Sequence, residues 1–152
     1  MLEEVYFDEM TPEDLDDVMI IEKLSFPTPW SRQAFYTEIT ENTYAHYVVA
    51  RLGQRVIGYA GMWLILDEAH ITNIAVHPDY RRQGVGEALL QEMMERARRE
   101  GAESMTLEVR VSNVAAQRLY EKMGFEKRGI RKGYYTDVKE DAYIMWKERL
   151  GP

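Results

Sequence analysis

Residues 80–90 read Tyr-Arg-Arg-Gln-Gly-Val-Gly-Glu-Ala-Leu-Leu, with two glycines behind two arginines and a glutamine where a helix starts. A helix N-terminus carries unpaired backbone N–H groups and about half a positive charge, and so attracts anions, phosphate above all. Glycines let the backbone approach a ligand because they lack Cβ. Arg81 and Arg82 add planar donors suited to phosphate oxygens. The stretch is chemically a pyrophosphate cradle. It is not a Walker loop, which needs a Lys-Ser/Thr pair, and it is not a dinucleotide fingerprint. The third glycine position of the latter is Leu89, and residues 77–83 separate the preceding apolar run from Gly84. Read alone, the glycines can equally be shaping a loop beside solvated arginines.

Outward from the cradle, 87–99 is an amphipathic helix with Leu90, Met93, Met94 and Ala97 on one stripe, arginines in its last turn and Gly101 as its stop. Upstream, 69–76 is an apolar strand, and 45–51 and 55–66 flank Leu52-Gly53-Gln54 as a hairpin. Residues 5–8 form a short first strand. Thr11-Pro12-Glu13-Asp14 starts a helix running to about Leu24, with Leu15, Val18 and Met19 and then a polar Glu22 at helical spacing. Phe26-Pro27-Thr28-Pro29-Trp30 breaks it, and Ser31 caps a second helix bearing Phe35 and Ile39. Downstream, 104–110 alternates as a strand and 114–123 is a helix capped by Ser112 or Asn113 and stopped by Gly124. Residues 125–131 and 142–150 are two final strands. The fold class is α/β, a mixed sheet with helices on both faces.

The chain has 152 residues, the length of a single domain spanning 1–152, with 45% apolar and 30% charged residues. It has no cysteine, which removes disulfides, thiolate metal sites and cysteine nucleophiles. The net charge of −7 argues against nucleic acid and suits a basic partner. No apolar run reaches membrane-spanning length and the N-terminus has no signal pattern, so the expected location is cytoplasmic, with no membrane partner.

Glu108, Thr106 and Arg110 share one face of their strand, and Leu107 and Val109 the other. Glu108 reads as a solvated strand glutamate paired with a neighbour, and Tyr120 as a core aromatic. Asn113 reads as a helix cap or a ligand to a peptide-like group. His46, His70 and His77 show no metal-like spacing and read as surface or packing residues, so no metal is expected.

Three motifs stand in register. Arg81-x-x-Gly84-x-Gly86 is entered from Asn73-Ile74-Ala75-Val76-His77-Pro78. Leu107-Glu108-Val109-Arg110-x-x-Asn113 and Leu119-Tyr120-x-x-x-Gly124-Phe125 follow. Together they resemble the N-acetyltransferases of the GNAT superfamily over nearly the whole chain. Residues 26–31 (FPTPWS), 107–113 (LEVRVSN), Tyr134-Tyr135 and Glu140-Asp141-Ala142-x-x-Met145 look like its RimI group, the ribosomal-protein-alanine N-acetyltransferases. FPTPW departs from the plainer FPW form by an extra Pro-Thr step.

The resemblance implies the GNAT fold, a mixed, mostly antiparallel sheet, and acetyl-CoA as co-substrate without a metal. It implies that Ile74, Ala75 and Val76 meet the pantetheine and that Arg81, Arg82, Gln83, Gly84, Val85, Gly86 and Glu87 wrap the pyrophosphate, with Asn113 a further contact. It implies Glu108 as general base, Tyr120 as general acid, and Trp30, Tyr134 and Tyr135 along the acceptor. The implied partner is a protein N-terminal peptide, of a small-subunit ribosomal protein, with a monomer as the expected state. An N-terminal amine titrates near 7.7–8.0 and a lysine near 10.4, so the terminal amine is the easier acceptor to deprotonate. Acetylation of a lysine or a small amine, and a non-catalytic acyl-CoA sensor, are the competing readings.

Overall fold

A computed structural model describes residues 2–136 and 139–151. Its centre is a seven-stranded sheet in the order β1-β2-β3-β4-β5-β7-β6. The strands are β1 (Val5–Glu9), β2 (Ala45–Leu52), β3 (Arg55–Ile65), β4 (Glu68–Val76), β5 (Ser104–Arg110), β6 (Glu126–Tyr135) and β7 (Glu140–Lys147). All neighbours are antiparallel except β4 and β5. A parallel pair needs a crossover. Here it is α3 (Val85–Arg99).

Helix α3 buries Val85, Leu89, Leu90, Met93 and Ala97 against one face of the sheet. On the opposite face α1 (Leu15–Ser25) and α2 (Arg32–Glu41) bury Leu15, Val18, Ile21 and Phe35. The strands supply both layers by alternation: Val48 and Ala50 of β2 join the first core, Tyr47 and Val49 the second. β3 is buried from Val56 to Met62, as a strand covered on both faces must be. Helix α4 (Val114–Lys122) adds Tyr120 to the first core.

The element order and mixed sheet match the sequence reading, and the differences lie at element ends. The chain enters α1 through a 3-10 turn, Pro12–Asp14. The Asp14 carboxylate accepts the Thr11 N–H at 2.9 Å and is gripped by two nitrogens of Arg51, at 2.8 and 3.0 Å. β6 continues past residue 131 to Tyr135 through irregular register with β7. β7 ends at Lys147, and Leu150 is buried off the strand, its N–H donating to Glu103 O at 3.0 Å. No helix among the described residues is long and apolar enough to cross a membrane.

The feature that makes a site is the β4–β5 seam. Only Glu68–Ser104, Ala69–Met105 and His70–Thr106 pair, after which the strands diverge. β4 also bulges there. Gly61 and Met62 of β3 face Asn73 and Ile71, leaving Thr72 as the extra residue.

Candidate active site

The divergence opens a cleft of about 350 Å3, walled by Ile71–Ile74 of β4 on one side and Leu107–Arg110 of β5 on the other. Beyond His70, β4 has a strand partner only on its β3 edge. Alternate backbone groups on its other edge therefore face the cleft, ready to bond an extended, peptide-like group.

At the far end of β4 lies the glycine stretch. No backbone carbonyl among the described residues receives the N–H groups of residues 82–87, and the first such bond in this turn is Ala88 N–H to Gly84 O at 3.0 Å. Gly84 has φ +85, and Arg82 has φ +63. The left-handed region strains a residue with a Cβ. Gly86 is different: it has helical geometry, and a Cβ there would sit 3.7 Å from Val76 Cγ2, an ordinary contact. Its own fold does not require a glycine. Glu87 turns its carboxylate away to Lys122, at 2.7 Å. Arg81 donates through Nε to Val76 O at 2.9 Å and through a terminal nitrogen to Ser25 Oγ at 3.0 Å. It braces the end of β4 against the end of α1. Gln83 and Arg82 are exposed.

Glu108 and Tyr120 both line the cleft. The Glu108 side chain is 6% exposed. His70 Nε2 stands 2.8 Å from its Oε1, Tyr134 donates to the same oxygen at 3.3 Å, and Arg131 Nε is 3.8 Å from Oε2. Burial raises the carboxyl's pKa, but the hydrogen bond and charge of His70, with Arg131 and Tyr134, outweigh it and hold the group below the usual carboxylate value. Tyr120 packs on Phe125 with ring centroids 6.0 Å apart. Burial pushes its hydroxyl up to about 12, so it is a protonated donor at neutral pH, and it makes no hydrogen bond to the described residues. A buried carboxylate and a free phenol across one cleft are the parts of an acid–base pair.

A family model described as acetyltransferase (GNAT) family matches residues 15–125. The chain belongs to that family. It is 50% identical over 137 residues to a Bacillus subtilis (strain 168) protein provisionally named as a ribosomal protein bS18-alanine N-acetyltransferase, spanning 90% of this chain and 91% of that one. The crystal structure of the ribosomal-protein-S18-alanine N-acetyltransferase from Escherichia coli superposes with a TM-score of 0.85 at 36% identity, over 93% and 92% of the two chains. Arabidopsis thaliana NAA60, solved with acetyl-CoA, shares the fold with a TM-score of 0.82 at 20% identity, over 93% and 97%. The chain is an enzyme, an acetyltransferase of the GNAT family.

Of the residues that the sequence marks for this acetyltransferase, Trp30, Ile74, Glu108, Asn113, Tyr120, Tyr134 and Tyr135 converge on the cleft. The Ala75 side chain packs in the second core, which leaves its backbone groups for the expected contact, and the Val76 carbonyl accepts from Arg81. Asn113 is the cap of α4, accepting from Ala116 N–H at 3.1 Å, while also lining the cleft. Tyr134 and Tyr135 meet edge to face at 5.0 Å, with the Arg110 guanidinium 4.1 Å over the Tyr135 ring.

The sequence motifs do not mark two residues that the fold brings to the cleft, His70 and Glu22. His70 reads as surface or packing but touches Glu108, because the parallel β4–β5 pairing that joins them leaves no local pattern. Glu22 is 2% exposed and lines the cleft. Its signal was present as the one acidic residue on the apolar stripe of α1. Its carboxylate accepts the Tyr59 hydroxyl and, at 2.8 Å, the Trp30 N–H, which fixes the 26–30 loop.

Proposed function

We propose that this enzyme transfers the acetyl group of acetyl-CoA to the N-terminal α-amine of a protein, the N-terminal alanine of ribosomal protein bS18. The observation that carries the reading is the cleft at the β4–β5 divergence, with Glu108 and Tyr120 on it and a run of unpaired N–H groups at the head of α3. Those N–H groups fit a diphosphate, and Gly86 keeps clear the space in which it would lie. The open edge of β4 fits the amide groups of a pantetheine arm. Asn113 contributes from the helix start, and Arg82 and Gln83 from the loop.

In the cleft, Glu108 takes a proton from the acceptor ammonium. The freed nitrogen bonds the acetyl carbon as the carbon–sulfur bond breaks, Tyr120 gives the sulfur its proton, and the proton the nitrogen sheds as the amide forms returns to Tyr120. The general acid–base share of such a scheme is worth about 10²–10⁴-fold. Trp30, Tyr134 and Tyr135 flank the acceptor's path. Both named ribosomal-protein relatives span about nine-tenths of this chain, which supports the bS18 N-terminus over other amines.

The test is a mass-read panel of acetyl-CoA with the bS18 N-terminal peptide, lysine peptides with blocked N-termini, and small amines such as spermidine. Acetylation of the alanine amine is the expected result. Modification of lysine or small amines alone replaces the acceptor, and no product with any of them favours an acyl-CoA sensor.

A further inference from the structure

The two oxygens of the Glu108 carboxylate are not equivalent. Oε1 receives both side-chain hydrogen bonds, from His70 Nε2 at 2.8 Å and from the Tyr134 hydroxyl at 3.3 Å. Among the described residues Oε2 accepts no hydrogen bond, and the cation that stands against it is Arg131, with Nε at 3.8 Å. An ionised carboxylate only accepts, so the imidazole nitrogen facing it must carry hydrogen, in the neutral ring as in the protonated one.

We propose that His70 is a positioning residue for acetyl transfer: by holding Oε1 it fixes the carboxylate's rotation and leaves Oε2 as the oxygen that receives the acceptor's proton. The inference rests on Glu108 being the base.

The surroundings suit that role. His70 sits at the last paired position of the β4–β5 seam, opposite Thr106, so its backbone is held where the cleft begins to open. Across the sheet it faces Trp63 of β3, whose indole N–H is spent on Glu38 of α2 at 2.7 Å. Among the described residues, the other charged or titratable groups around the pair are Arg131, Tyr134 and Tyr135 of β6, Tyr120 of α4 and Glu22 of α1 on the same cleft, and Arg110 of β5. Arg110 bonds Glu140 at 3.3 Å. The hydrogen bond from His70 is thus the short one on Glu108. It also opposes burial, which otherwise drives a 6% exposed carboxylate toward its neutral, useless form. The ammonium's first proton goes to Oε2 and on to solvent. The nitrogen's second proton, lost as the amide forms, balances the one that Tyr120 gives to sulfur.

The experiment compares His70→Leu, which has no donor, with His70→Gln, which keeps an N–H, using the bS18 N-terminal peptide and 13C NMR titration of the Glu108 carboxyl. His70→Leu is expected to lower kcat by about 10- to 100-fold with the KM for acetyl-CoA unchanged. It should also raise the Glu108 titration point by about one pH unit or more. His70→Gln should stay within about threefold of wild type, as a retained donor requires. The side chain is 38% exposed, so replacement empties no core. His70→Ala repeats the test if the Leu variant melts early. A His70→Leu enzyme with wild-type kcat and an unmoved titration overturns the proposal, and so does a Gln variant as slow as the Leu one. Glu108→Gln separates the two readings. If it is fully active, the base assignment itself fails. If it is inactive while His70→Leu is normal, only the role of His70 falls.

Discussion

Gly61 of β3 lies directly opposite Tyr47 of β2, and the Tyr47 ring folds over it so closely that a Cβ at Gly61 would overlap the ring carbons. That placement aims the Tyr47 hydroxyl at Thr72 Oγ1, 3.2 Å away, and at Glu38 Oε1, 3.0 Å away. Thr72 is the bulged residue where β4 turns from β5. A glycine on one strand therefore sets the ring whose hydroxyl bonds a cleft-lining residue on another. Gly61→Ala should cost about 1–3 kcal/mol, the usual range for overpacking. It should also raise the KM for the acceptor peptide. Urea unfolding and steady-state kinetics check both effects, and an unchanged midpoint would contradict the contact.

Glu22 holds the 26–30 loop through the Trp30 N–H and is itself held by the Tyr59 hydroxyl. Glu22→Ala orphans both donors and should cost about 2–4 kcal/mol. Its pH dependence has a definite sign. Burial raises the Glu22 carboxyl above its ordinary 4.5, against the lowering effect of Tyr59 and Trp30. A raised folded value means that its contribution is fully present below the unfolded value, near 4.3, and declines as pH rises through the folded one. Wild type should lose stability relative to Glu22→Gln as pH rises above the ordinary carboxylate value. Urea midpoints of the pair at several pH values measure it, and a constant difference would show that Glu22 stays charged.

Glu108 and Tyr120 have values pushed apart, one held low and the other raised to about 12. On the proposed mechanism neither titrates between about pH 5 and 10, so the rise of kcat/KM with pH should follow only the acceptor amine, near 7.7–8.0. Tyr120→Phe keeps the ring against Phe125 and removes the proton donor. Its kcat should fall about 10²-fold while acetyl-CoA affinity holds. A basic limb below pH 10, or a fully active Phe variant, would remove Tyr120 from the mechanism.

How much of this was written locally in the chain follows from what each element needs. The stripe of α3, the hairpin at Gly53, the Ser31 cap and the strand at 104–110 depend on neighbours in sequence, and periodicity exposed them. The unpaired N–H groups at the head of α3 were legible because helix-start chemistry is local. The partnership of β4 with β5 is set by a crossover through α3, and only that long-range pairing brings His70 to Glu108 and parts Leu107–Arg110 from Ile71–Ile74. Arg81 shows the same limit. Its spacing groups it with the phosphate ligands, while the fold spends its guanidinium on Val76 and Ser25.

The two cradle glycines allow a test that separates folding from binding. Gly84 needs its φ of +85 whatever binds, and a Cβ there would also crowd Leu2 Cδ2 at 3.2 Å. Gly84→Val should lose about 1–2 kcal/mol of stability along with affinity, so a binding defect there is ambiguous. Gly86 sits in the first turn of α3 with room for a methyl group beside Val76. Gly86→Ala should leave stability equal or raise it by up to about 1 kcal/mol through helix propensity. If residues 82–87 hold the diphosphate, the same methyl group intrudes on the ligand, and the Kd for acetyl-CoA should weaken about tenfold, or 1.4 kcal/mol. Stability and affinity then move in opposite directions, which a general folding defect cannot produce. Thermal melts and calorimetry on the one variant decide it: binding as tight as wild type would place the diphosphate away from the head of α3.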